Sequence, residues 1–257
     1  MKVLFLHPLY IIGNVNLIWQ LILKTDRRRL IIIAAAAVAA AVLIVAAVIA
    51  FSKEEEPEKI TPRIISLTID APDDIPIEEK ERILFKSLTA AGFSPAGACG
   101  MMGNIAVESS DLDPTVINES NGAFGLFQWT DVGDRQQKLK DFCRENAMNW
   151  GSVEGQIAFA VYELSGADPI ACRLYDLLRE TDDPYTAAAE FTAGFERCIT
   201  DTKASGDRYT GSLYPEFYGQ YYQGLKKRIN KAMNYYERFK DDGDDAGEET
   251  QINITIE

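Results

Sequence analysis

Gly103 to Trp129 read GNIAVESSDLDPTVINESNGAFGLFQW, and three features of that stretch decide how the rest of the chain is understood. An apolar helical run, Ile105-Ala106-Val107, stops at a carboxylic acid, Glu108. Asp111, Pro114, Asn118, Asn121 and Gly122 then favour turns. Finally Gly125-Leu126-Phe127-Gln128-Trp129 supplies a glycine that lets backbone pass close to a neighbour, followed by aromatic and amide side chains. Acid, turns and aromatic segment are near enough in sequence to build one cleft, with the Gly-rich segment folded back as a short β-hairpin.

Glu108 is expected at the C-terminal end of a helix, where the negative pole disfavours an ionised carboxylate, and the apolar residues before it remove water. Both effects predict a raised pKa, which suits a carboxyl that must deliver a proton near neutral pH. Phe127 and Trp129 offer flat faces for sugar rings, and Gln128 an amide for hydroxyl or acetamido groups. Phe124 and Leu126 read better as a hydrophobic plug under the hairpin.

Composition narrows the chemistry further. The net charge of -13 argues against a nucleic-acid partner, which asks for clustered Lys and Arg. Much of the acidic excess lies in SKEEEPEK and DDGDDAGEE, the compositions of a linker and a tail. His7 is the sole histidine, and it sits in the apolar N-terminal segment. A Ser-His or Cys-His nucleophile and a His-based zinc site are therefore excluded from the rest of the chain, so neither a metal nor a cofactor is expected. Cys99, Cys143, Cys172 and Cys198 allow two disulfides in three pairings or four free thiols, and the spacing leaves these open.

Along the chain, residues 1–29 form an N-terminal segment ending in Arg27-Arg28-Arg29, and Leu30 to Phe51 follow without a charge, a Gly or a Pro. About 20 apolar residues cross a bilayer, so 30–51 reads as one transmembrane helix. Arginines before it and Glu54-Glu55-Glu56 after it leave everything beyond Phe51 outside the cytoplasm. Residues 52–75 read as a linker, 76–240 as the folded domain and 241–257 as an acidic tail. Two alternating patches, Arg63–Ile69 and Gln251–Glu257, have strand patterns; pairing between them is one reading, and an unpaired end beside an acidic run is slightly favoured.

Helical periodicity fills the domain. Ile77, Ile83, Leu84, Leu88 and Ala91 mark a first helix ending at Gly92, and Ser94-Pro95 starts a second that ends near Glu108. Further helices are expected at about 134–148, 152–164, 169–179, 184–197 and 215–239. The fold class is mainly α, an α+β domain with one short β-hairpin, preceded by the transmembrane helix. Lys226, Lys227, Arg228 and Lys231 read as a solvated helix face, and the tyrosine-rich run Tyr209–Tyr222 as a helix packed on the core or as sugar-stacking surface.

Four motifs then occur in order: Gly103-Asn-Ile-Ala-Val-Glu-Ser109, Gly125-Leu-Phe-Gln-Trp129, Gln156-Ile-Ala-Phe-Ala-Val-Tyr-Glu-Leu164 and Phe195-Glu-Arg-Cys198. Together, over about residues 93–200, they resemble the phage tail lysozyme family, and more distantly the lytic transglycosylases and goose-type lysozymes. The resemblance implies a lysozyme-like fold and a muramidase that cuts the β-1,4 bond between N-acetylmuramic acid and N-acetylglucosamine in peptidoglycan. It implies Glu108 as general acid, with Ser120 and Gln128 lining the glycan site. Such domains also occur in cell-wall hydrolases of conjugative elements, which suits a membrane-tethered chain.

Two departures stand out. Glu190-Phe191-Thr192-Ala193-Gly194 replaces an Ala-Tyr-Asn-Ala-Gly stretch of the transglycosylases, removing a tyrosine hydroxyl and an amide, and Cys198 replaces a proline. The first leaves hydrolysis and transglycosylation both open. A third reading is a non-catalytic wall-binding component of a conjugation or secretion apparatus. A second carboxylate is left unassigned: Asp111, Asp113 and Glu119 suit turns and caps, while Glu163 and Glu196 suit ion pairs with Arg197 or Arg173.

Overall fold

The helix that carries Glu108 is also the most enclosed. The computed structural model describes residues 61–70, 75–241 and 251–256. The expected membrane span Leu30–Phe51, the segment before it and the acidic run 242–250 lie outside these residues. α2 (Pro95–Glu108) has no charge until its last residue and is buried at every position from Ala96 to Ala106. A helix that is apolar all round has no face for water and is driven to the centre of the core. Its start follows the sequence: the Ser94 hydroxyl accepts a hydrogen bond from the Gly97 amide at 2.9 Å, and Pro95 occupies the first turn. Beyond Glu108 the chain becomes extended at Ser109, whose hydroxyl accepts from the Asp113 amide at 2.9 Å.

Gly97, Gly100 and Gly103 let neighbouring helices close on α2. A Cβ at Gly103 would lie 2.4 Å from the Arg228 carbonyl oxygen, and one at Gly100 would lie 2.4 Å from the Ala187 Cβ. These contacts seat α7 (Leu225–Phe239) and α6 (Pro184–Phe191) against it. α1 (Ile77–Ala90) and α5 (Tyr175–Glu180) cover other sides, and α3 (Arg135–Glu145) packs on α4 (Val153–Tyr162). Inward residues of α7 are Leu225, Arg228, Ile229, Ala232, Tyr235 and Phe239, a helical stripe with one cation in it. Among the described residues the fold is mainly helical with two small antiparallel sheets, and no helix there is long and apolar enough to cross a membrane.

The sheets differ from the expected single hairpin. Residues 117–129 form only isolated bridges, Ile117 with Phe124 and Phe124 with Trp129. The segment is held instead by Gln156, which accepts from the Leu126 amide at 2.8 Å and donates to the Pro114 carbonyl at 2.6 Å. Gly125, at φ +75, passes so near that a Cβ would meet the Gln156 amide at 2.5 Å. β2 (Ile199–Thr200), β3 (Asp207–Arg208) and β4 (Tyr221–Tyr222) make a three-stranded sheet with β4 central.

The expected helix at 215–239 is therefore corrected. Positive φ at Gly219 and Gly224 breaks it, leaving a 3-10 turn at Pro215–Phe217, then β4, then α7. Tyr209, Tyr214 and Tyr222 are core residues of this region rather than a helical or sugar-facing surface. Two other expected helices end in π turns, Glu163–Ala167 after α4 and Thr192–Glu196 after α6. All four cysteines are free.

The two alternating patches do pair, against the favoured reading of an unpaired end. β1 (Ile65–Asp70) runs antiparallel to β5 (Gln251–Ile256), Ile65 opposite Ile256, and packs on α4. Ile65 and Leu67 are buried while Ser66 and Thr68 face water, the two-residue alternation of a half-covered strand. β1 thus lies within the stretch read as linker, inside the compact unit Ile60–Glu257. Ile65→Ala is expected to lower the unfolding free energy in urea by about 2–4 kcal/mol, the cost of emptying a closed core position. A change within error would mean that the strand is not part of the folding unit.

Candidate active site

Glu108, at the end of α2, opens onto a cavity of about 350 Å3 whose walls include Asn118, Gln128, Glu196, Gln223 and Arg228. Its carboxylate forms an ion pair with Arg228, whose side chain is 3% exposed against 19% for Glu108. Arg228 also donates to Asn104 Oδ1 at 3.2 Å and to the Gln223 carbonyl at 3.2 Å. Asn104 is fixed in turn by donating to the carbonyls of Gly100 at 3.0 Å and Ala188 at 3.2 Å. The Thr192 hydroxyl lies 2.8 Å from Asn104 Oδ1. A buried guanidinium is tolerated only when its donors are met, and this one is held on three sides.

Thr192 thereby explains part of the departure at residues 190–194. Thr192 serves the anchor of Arg228, Phe191 is wholly buried, and Glu190 accepts from the Tyr209 hydroxyl and from the Ser212 amide at 2.8 Å. None of the three residues 190–192 lines the cavity.

Glu196 is the second carboxyl in the cavity wall. It ends the π turn that follows α6, and the next residue, Arg197, is left-handed at φ 55. Its Oε1 is sealed from solvent with no hydrogen-bond partner among the described residues. Burial pushes its carboxyl up to about 8, the charge of Glu108 adds to the rise, and Arg228 and Arg135 oppose it. Cys198 also lines the cavity, and burial raises its thiol to about 11, so it stays protonated.

The remaining expected acids take structural places. Glu163 pairs with Arg135 through both oxygens, each at 2.8 Å, and accepts from the Trp129 indole at 3.1 Å. The ion pairs foreseen with Arg197 and Arg173 do not form, since Arg197 holds Asp168 at 2.6 Å and Arg173 holds Glu216 at 2.5 Å. Asp113 caps the turn at Thr115, and Asp111 and Glu119 are exposed.

Of the expected glycan contacts, Gln128 lines the cavity, its amide donating to the Gly125 carbonyl at 2.9 Å. Ser120 is exposed and donates to Asn118 at 2.6 Å, so Asn118 and Asn121 reach the wall and Ser120 does not. Phe127 also lines the cavity, though only 2% exposed, whereas Trp129 is corrected: it is 1% exposed and absent from the wall, leaving no ring face for a sugar. Trp129 lies between Phe127 at 4.9 Å and Phe159 at 5.5 Å. Trp129→Phe should cost about 1–3 kcal/mol in thermal unfolding by removing the indole hydrogen bond to the Glu163 carboxylate, which keeps Arg135, with KM for glycan unchanged. A raised KM at unchanged stability would restore the stacking role.

Arg228, Asn104 and Glu196 are the site residues that sequence reasoning did not place. Reading Arg228 with its lysine neighbours as a solvated face is corrected by its burial. Lys226, Lys227 and Lys231 line an open groove of about 620 Å3, and Arg228 points the other way. The signal was present in the stripe Leu225, Arg228, Ile229, Ala232, in which Arg228 takes an inward position.

A protein-family model for phage tail lysozyme matches residues 79–239. The chain belongs to the phage tail lysozyme family. That match spans α1 to α7, and so encloses every residue of the cavity wall. No curated protein matched the chain. Membership points to a lysozyme-like peptidoglycan hydrolase, a glycosidase in class, and within this phage tail lysozyme domain Glu108 and Glu196 are the carboxyls that share the cavity.

Proposed function

We propose that the protein is a membrane-anchored muramidase that cleaves the β-1,4 bond between N-acetylmuramic acid and N-acetylglucosamine outside the cell membrane, with Glu108 protonating the leaving oxygen. The observation that carries this is the carboxyl of Glu108, delivered by the core helix α2 to the wall of an amide-lined cavity. General acid catalysis needs a positioned carboxyl, and a rigid buried helix supplies the positioning. Asn118, Asn121, Gln128 and Gln223 give the cavity donors and acceptors suited to acetamido and hydroxyl groups. With Trp129 buried away from the wall, recognition falls to these polar groups and to the edge of Phe127.

The anchor rests on the sequence of Leu30–Phe51 and on the arginines before it. It fits a partner role for the protein in an envelope-spanning conjugation or secretion apparatus. Two measurements test the proposal. Alkaline extraction should leave the full-length protein in the membrane, and its release would remove the anchor. Mass spectrometry of digested peptidoglycan should find reducing N-acetylmuramic acid ends; 1,6-anhydro ends would make it a transglycosylase, and intact glycan a wall-binding protein.

A further inference from the structure

Glu108 is in ion-pair contact with Arg228, and the reaction proposed above begins with a proton on that carboxyl. The proton needs a source beside it. We propose that Glu196 is a positioning residue that stores this proton and passes it to Glu108 when a glycan strand fills the cleft. The inference rests on Glu108 being the donor.

Placement is the first support. The π turn Thr192–Glu196 and the left-handed Arg197 bend the chain sharply after α6, and Glu196 comes to share the cavity wall with Glu108. π turns of this kind recur at functional sites because they reposition a side chain that a regular helix would carry past.

Hydrogen bonding is the second. Glu163 and Glu190, the buried acids among the described residues, have both oxygens bound. Glu196 Oε1 has no partner among the described residues. An unmet buried oxygen costs stability; Ser87 Oγ and Tyr222 OH are also unmet, but Glu196 Oε1 alone of the three belongs to a residue of the cavity wall, where it marks a group retained for its chemistry.

Charge is the third. The groups that bear on Glu196 are Glu108, Arg228, Arg135 and Glu163, with the protonated Cys198 thiol beside it. Arg135 is already held by both oxygens of Glu163, and Arg228 is in contact with Glu108. No cation is left to Glu196 alone, so two carboxyls in one cavity share one proton. Burial raises the Glu196 carboxyl and Arg228 is in contact with Glu108, so the shared proton is favoured on Glu196.

The step balances. Glu196 gives its proton to Glu108, through a water that a cavity of about 350 Å3 admits. Glu108 gives a proton to the glycosidic oxygen, and the C1–O bond breaks with its electron pair on that oxygen. Water adds to C1, and the proton it loses returns to the carboxyl pair.

The test is Glu196→Gln in the full-length protein. Glutamine has the shape of the protonated acid, so a purely structural role survives the change and a proton-storing role does not. The expected result is a kcat on purified peptidoglycan about a hundredfold lower, KM within twofold, and residual activity that climbs as pH falls and bulk water replaces the stored proton. Glu196→Asp, which keeps a titratable carboxyl, should recover part of the loss and serves as the second variant should the glutamine protein not fold. Wild-type kcat and pH profile in Glu196→Gln, or no recovery in Glu196→Asp beyond the glutamine level, overturns the proposal. A wild type that is active with an inactive Glu108→Gln and an unaffected Glu196→Gln removes the proton store alone. An inactive wild type removes the reading of Glu108 as well.

Discussion

Glu108→Gln is expected to give a folded protein whose kcat on peptidoglycan falls about a thousandfold, within the range for losing a positioned general acid. KM should change little, because the amide walls of the cavity remain. The fold survives because Gln keeps a carbonyl oxygen where Arg228 donates, and α2 is held by its apolar packing and by the glycine contacts with α6 and α7. What glutamine lacks is the proton. Turbidity loss of purified cell walls gives the rate, and far-ultraviolet circular dichroism checks the fold. Equal rates for wild type and Glu108→Gln would take the acid role away from Glu108.

Arg228→Met is expected to lower stability by about 3 kcal/mol. Removing one member of a buried pair typically costs about 3–5 kcal/mol, and the lower end applies because Glu108 is 19% exposed and water reaches it. Methionine fills the stem but removes one donor from the Gln223 carbonyl and one from Asn104 Oδ1, which keeps only Thr192. Urea unfolding measures the loss, and a double-mutant cycle with Glu108→Gln should return a coupling of about 1 kcal/mol or more. A loss below about 1 kcal/mol, or additive changes, would mean that the pair does not organise the site.

Much of this architecture was readable in the residues, and the failures have physical reasons. α2 carried its own punctuation: Gly92 before it, Ser94 and Pro95 at its start, and no charge until Glu108. α7 did not, since the helical periodicity of Tyr209–Phe239 runs across Gly219 and Gly224, whose positive φ is a property of the fold. The β1–β5 pairing joins segments from opposite ends of the chain, and alternation reveals a strand without revealing its partner.

In the site, Glu108 announced itself through the turn and aromatic residues that follow it. Trp129 misled because an aromatic near an acid suits either a sugar or a core, and its indole partner, Glu163, comes from another helix. Arg228 was grouped by charge with Lys226 and Lys227 when its position along the α7 stripe was the better guide. Glu196 depends on a π turn, which hydrophobic periodicity does not register.

General acid catalysis by Glu108 requires the glycosidic oxygen to reach the side chain at position 108. A crystal structure of Glu108→Gln with a four-sugar fragment of alternating N-acetylmuramic acid and N-acetylglucosamine measures that distance directly. The expected complex places the bridging oxygen about 3 Å from the Gln side chain, with acetamido groups on Gln128 and Asn118. A fragment seated elsewhere on the protein, with the cavity beside Arg228 filled by water alone, would contradict it.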